Sequence, residues 1–212
     1  MNDAHRQFNI GRLLLIGNLS IFMIGLGFAV RANIASDLQS DIFDVIDIGN
    51  SAAMVGEALG ITFTGFVFTL LFGIAFVDLI GMNLMLLLSA LGSVAGESRL
   101  MSSAVIPVGD MVQYTVLVSL LLTGLGWGAV EAASNPMVAS LYPEEKTHRL
   151  NVLHAWWPAG IVVGGLLGVA ISHYNLPWSL NMLLLMVPGL VLAWLVASSD
   201  FPVTERVANG VS

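Results

Sequence analysis

Long apolar runs broken by brief polar stretches dominate this chain. A membrane-spanning helix needs about 20 mostly apolar residues, and six runs qualify: roughly 12–35, 52–77, 81–96, 112–141, 150–173 and 177–199. The third is short and the fourth long. The first is not a cleaved signal, because its apolar run is too long and no small-residue cleavage site follows within reach. The pattern predicts an all-α integral membrane bundle over residues 1–199, with 200–212 as the opening of a cytoplasmic linker.

Composition narrows this further. Of 212 residues, 57% are hydrophobic and 10% charged, against about 25% charged in a soluble domain. The larger surface therefore meets lipid. With no Cys, disulfide frameworks and thiolate metal sites are excluded, and no metal or other cofactor is expected. The net charge of −7, with seven scattered basic residues, excludes a phosphate-tracking patch and a nucleic-acid partner. Basic residues in short loops set orientation. Arg6, Arg12, Lys146, Arg149 and Arg206 fall on one side, Arg31 and Arg99 on the other. This predicts a multi-pass protein of the cell (inner) membrane with both termini cytoplasmic. Asp37, Asp41, Asp44, Asp47, Glu97 and Asp110 would then lie in the two outer loops.

Glycine spacing is ordered. Gly160, Gly164 and Gly168 recur every four residues beside Gly165, and Gly56, Gly60 and Thr64 repeat the pattern in the second run. Small residues at this spacing let helices approach closely where no hydrophobic effect drives them together. An internal repeat is also visible. Gly25-Leu-Gly-Phe-Ala-Val-Arg31 matches Gly124-Leu-Gly-Trp-Gly-Ala-Val-Glu131 with one inserted glycine. The strings occupy the first and fourth runs, which cross the membrane in opposite senses, so the duplication would be an inverted 3+3 repeat of the kind found in secondary transporters.

Charges inside spanning helices cost about 2.5–3.5 kcal/mol on the insertion scale and normally face protein or a wet cavity. Glu131 has roughly three helical turns on its cytoplasmic side, and Asn135 follows one turn later on the same face. Function as a proton carrier and a fixed ion pair are both open to it. Arg31 is its counterpart if the repeat is real, and whether the two touch is open. Glu57 lies near a helix end, at a solvated rim. His154 and Trp157, three apart in Leu150-Asn-Val-Leu-His-Ala-Trp-Trp-Pro-Ala-Gly160, share a face. An aromatic plane beside hydrogen-bonding groups suits a hydroxylated ring, while an interfacial anchor is the alternative for Trp157.

The stretch from Gly124 to Gly168, with Glu131-Ala-Ala-Ser-Asn-Pro136 and Leu150-Asn151, resembles helices four and five of the major facilitator superfamily. It most resembles the sugar-porter branch, which includes fucose–proton symporters. Asp78-Leu-Ile-Gly81 is similar to a worn form of the superfamily's conformational loop motif, with Leu79, Met82 and Asn83 where basic residues are usual. The resemblance implies that the chain is the N-terminal six-helix half of a twelve-helix transporter. It places Glu131 at the carboxylate that handles substrate and proton, Asn135 at the amide below it, and His154 and Trp157 among sugar contacts. Near Asn33 those symporters carry a proton-binding aspartate, so the amide here puts proton coupling in question.

The expected function is half of a secondary active transporter for a sugar-like small polar solute, its cavity lined by Arg31, Asn33, Glu131, Asn135, His154 and Trp157. Its partners would be membrane lipid and a missing C-terminal half or a second copy, and it would be inactive alone. A non-transporting scaffold is the alternative. Intramembrane proteolysis is disfavoured because Gly92-Ser93 with Gly96 lacks the Gly-x-Ser-Gly spacing, and no His-Glu-x-x-His string occurs.

Overall fold

The computed structural model describes residues 8–107 and 109–210, apart from the side chain of Asp110. Arg6 and the last two linker residues therefore lie outside the described residues. Among the described residues, six helices are long and apolar enough to cross a membrane: α1 (Ile10–Asp47), α2 (Ser51–Ile80), α3 (Met82–Ser103), α4 (Asp110–Leu141), α5 (Lys146–His173) and α6 (Trp178–Ala197). A short helix, α7 (Glu205–Ala208), follows.

Helices α1 and α4 form the centre. Helix α4 packs between α2 and α3, and α1 packs between α5 and α6; α3 also meets α6, and α1 meets α4. Exchanging α1 with α4, α2 with α5 and α3 with α6 reproduces this pattern of neighbours. Helices α2 and α5 turn most of their apolar surface outward, away from the other described helices.

The glycines show that the repeat reaches atomic register. A Cβ on Gly25 would stand 1.9 Å from the Trp157 carbonyl oxygen, and one on Gly160 would stand 2.1 Å from that of Phe22. At the other crossing, a Cβ on Gly124 would lie 2.0 Å from the Thr62 oxygen, and one on Gly65 would lie 2.8 Å from that of Leu121. In every case the glycine meets the carbonyl three positions before its partner glycine. Gly25 therefore corresponds to Gly124, and Gly160 to Gly65, as an inverted 3+3 bundle requires. Backbone touches backbone here, so a side chain at any of the four would force the helices apart.

Gly164 and Gly168 also face α1, against Ala29 and Asn33. Gly165 does not join them. A Cβ on Gly165 would meet nothing within 4 Å, and the same holds for Gly56 and Gly60. Helical geometry explains the correction: one residue is about 100° of rotation, which carries Gly165 off the face that Gly164 presents to α1.

Two polar segments expected in the outer loops are helical instead. Helix α1 continues through a π-helical turn at Gln39–Phe43 to Asp47, because Leu38, Ile42 and Phe43 are buried in the core at that end of the bundle. Asp37, Asp41, Asp44 and Asp47 thus ride on helix, and Asp41 accepts a hydrogen bond from Trp178 Nε1 at 3.1 Å. Helix α3 continues past residue 96 to Ser103, carrying Glu97 into the bundle rather than into solvent.

Candidate functional site

Helix α4 presents Trp127, Glu131 and Asn135 one turn apart, so they line one stripe of its surface. Asn135 Nδ2 donates to the Glu131 carboxylate at 3.0 Å and to the Glu131 carbonyl at the same distance. This orientation turns Asn135 Oδ1 toward α5, where His154 Nε2 lies 3.0 Å away. With the amide nitrogen committed to a carboxylate, the imidazole is the donor in that bond. A relay of carboxylate, amide and imidazole therefore joins α4 to α5.

Above the relay lies a cavity of about 310 Å³, open at the face where α2 and α5 turn outward. Its walls are aromatic: Phe28 from α1, Phe63 and Phe66 from α2, Trp127 from α4 and Trp157 from α5. Phe28 is central, its ring centroid 6.2 Å from that of Phe63 and 5.9 Å from that of Trp157. Glu131 and His154 are the polar groups in the lining. Glu131 also lines a vestibule of about 390 Å³ that includes Asp78 and Arg206, so its carboxylate stands where the two spaces meet. The cavity combines flat apolar faces with a carboxylate and an imidazole, which suits a small ring-shaped solute bearing hydroxyls.

The expected site residues divide into two groups. Glu131, Asn135, His154 and Trp157 come together. Arg31 and Asn33 do not join them. Arg31 is 5% exposed and Glu97 1%; their side chains pair at 2.9 Å. The guanidinium also donates to the Gly27 carbonyl at 2.9 Å and lies 4.4 Å from the Trp127 ring centroid. Thr123 donates to the same Glu97 oxygen at 3.3 Å. Gly27 makes room for this stack, since a Cβ there would fall 2.4 Å from the Trp127 ring.

The repeat explains why Arg31 and Glu131 part company. Matching them requires skipping the inserted glycine, but the helix crossings align Gly25 with Gly124 without a gap. Arg31 then corresponds to Val130, one residue and about 100° away from Glu131 on the helix. Phe28 corresponds to Trp127, and both line the cavity. Asn33, for its part, donates its amide to the Gly164 carbonyl at 3.0 Å and fills the space over Gly168. It serves the α1–α5 contact.

At the loop motif between α2 and α3, Gly81 adopts φ +88°, a conformation that favours glycine, and turns the chain from one helix into the next. Asp78 accepts a hydrogen bond from Thr204 and lies 3.5 Å from Arg206, while Lys146 pairs with Glu205 at 2.6 Å. The basic partner that the Asp78 loop itself lacks is supplied by the chain after α6.

Spacing along the chain did not mark Trp127, Phe28, Phe63 and Phe66 as cavity residues, nor Glu97 as a buried partner. Trp127 carried a usable signal, lying one turn before Glu131 inside the repeated string.

No protein-family model matches the sequence, and no curated protein matches it. Solved structures do. The crystal structure of a D-xylose–proton symporter superposes with a TM-score of 0.77 at 13% identity, covering 94% of this chain and 50% of that one. An inward-open conformation of the xylose transporter XylE from E. coli gives 0.71 at 15% identity, covering 93% and 50%. The chain spans half the length of these transporters. At such identities the likeness is one of fold: a six-helix bundle, built as an inverted 3+3 repeat, like the half of these transporters that it covers.

Proposed function

We propose that this chain is the N-terminal half of a secondary active transporter that moves a sugar or similar small hydroxylated solute by alternating access, with Glu131 contacting the solute and carrying the coupling proton. The observation that carries this reading is the Glu131–Asn135–His154 relay at the floor of an aromatic-walled cavity, open on the face where a second bundle would pack. The solved symporters lend support through their shared fold. Solute rings would stack on Trp157, which is 39% exposed, and hydrogen-bond to Glu131 and His154. Both termini would be cytoplasmic in the cell (inner) membrane, as the loop charges favour. Asp78 and Gly81, held by Thr204 and Arg206, would form part of the cytoplasmic gate.

Alternating access needs a second bundle rocking against the first, so the chain alone should give no saturable sugar uptake in liposomes. Uptake by a monomer would contradict this. In the protein assembled with its second bundle, Glu131→Gln should abolish proton-driven uptake. It should weaken binding of a neutral pyranose about fivefold, corresponding to the roughly 1 kcal/mol by which a charge-assisted hydrogen bond exceeds a neutral one. Equilibrium binding measures the second effect. Unchanged affinity and uptake would favour a scaffold that handles no solute.

A further inference from the structure

We infer that the cavity selects its solute by charge, preferring a hydroxylated solute that bears a protonated amine over its neutral counterpart and rejecting the corresponding carboxylate. This rests on the solute-binding role proposed for the cavity and specifies the chemistry of what enters it.

The first observation is the fate of the nearest cation. Arg31 is the basic residue closest to the middle of the spanning helices among those described; Arg12, Arg99, Lys146, Arg149 and Arg206 lie toward helix ends or beyond. Its charge is spent elsewhere. Glu97 neutralises it at 2.9 Å, the Gly27 carbonyl takes another of its donors, and the Trp127 ring stands beside it while lining the cavity. Arg31 itself is absent from the cavity lining. An anionic solute would find no guanidinium in the lining of this cavity to pair with.

The second observation is what the cavity does present. Glu131 is the acidic residue in its lining, no Lys or Arg stands beside it there, and the ring nitrogen Nε2 of His154 is engaged by Asn135 Oδ1. Asn135 Nδ2 bonds to Oε2 of this carboxylate, and the other oxygen, Oε1, makes no hydrogen bond to a described residue. That oxygen is open to a donor from the solute. Around it stand the aromatic rings of the cavity wall, whose faces carry negative electrostatic potential and attract cations. Beside apolar walls that lower the local dielectric, a carboxylate among such faces stabilises an ammonium group and repels an anion more than it would in open solvent.

The third observation is the scarcity of neutral hydrogen-bonding groups. Asn135 is occupied at both ends, by Glu131 and by His154. A neutral sugar therefore gains stacking and a few hydrogen bonds on this half, whereas an aminated one gains the charge interaction as well.

The test uses the full 212-residue chain in lipid nanodiscs, with glucose, 2-amino-2-deoxyglucose and glucuronate as probes. Trp127 and Trp157 line the cavity, so tryptophan fluorescence supplies the readout. The amine should bind about tenfold more tightly than glucose, and glucuronate should show no saturable response. In Glu131→Gln the two binding ligands should come within about threefold of each other. Equal affinity for glucose and its amine in the wild-type chain, or glucuronate binding as well as glucose, would overturn the selectivity while leaving the solute site standing. A preference that survives Glu131→Gln would overturn its assignment to that carboxylate. Silence from all three ligands would overturn the solute site, and this inference with it. The wild-type comparison stands even if the variant fails to fold.

Discussion

Glu97→Ala should destabilise the bundle by about 3–5 kcal/mol, the usual cost of leaving one member of a buried ion pair without its partner. Arg31 pairs with no other acid in the described structure, and it lies 5% exposed between α1, α3 and α4. It would remain charged in an apolar interior or drag water in after it. Removing both charges together should cost far less. A double variant, Arg31→Met with Glu97→Leu, replaces the pair by apolar groups, and such replacements are often neutral or stabilising. Thermal melting in detergent measures both. A double variant as unstable as Glu97→Ala would show that Trp127 and Gly27 depend on the guanidinium itself rather than on its neutralisation.

The second large effect lies at the helix crossings. Gly25→Val and Gly124→Val should each destabilise by at least the roughly 1–3 kcal/mol typical of overpacking, because the atom in the way is a backbone carbonyl oxygen that cannot rotate aside. The two losses should be of similar size, since the crossings are related by the internal repeat. Gly56→Val and Gly165→Val are the matched controls. Nothing stands within 4 Å of a Cβ at either position, so melting of the isolated chain should move by no more than about 0.5 kcal/mol. Equal losses in all four variants would mean that helix propensity, and not the crossings, sets the cost.

Much of this architecture was legible in the amino-acid sequence. Apolar run length was enough to find six helices, because lipid leaves a chain few other ways to satisfy its backbone. The glycine strings at Gly25 and Gly124 were legible as a repeat, and the crossings show why those residues recur. Helical spacing alone placed Glu131 beside Asn135 and His154 near Trp157. What spacing could not supply was the link between the two pairs, made by an amide turned toward α5.

Glu97 was hidden for a different reason. A hydropathy scan treats a carboxylate as the end of a span, and only a partner on another helix changes that; Arg31 is 66 residues away. The Arg31 position misled through a single inserted residue, which preserves the look of an alignment but rotates the helix by about 100°. Phe28, Phe63 and Phe66 were unremarkable in a sequence with 10 Phe. They gain meaning only when helices from different parts of the chain bring them around one space.

Whether that space is the solute site is the question on which the proposed transport function turns. A photoreactive pyranose, crosslinked to the chain in nanodiscs and mapped by peptide mass spectrometry, tests it directly. Labelling should concentrate on the α5 peptide carrying His154 and Trp157 and on the α1 segment around Phe28, and should fade with excess unlabelled sugar. Label confined to the loops or the lipid-facing side of α6, or unaffected by competitor, would contradict it.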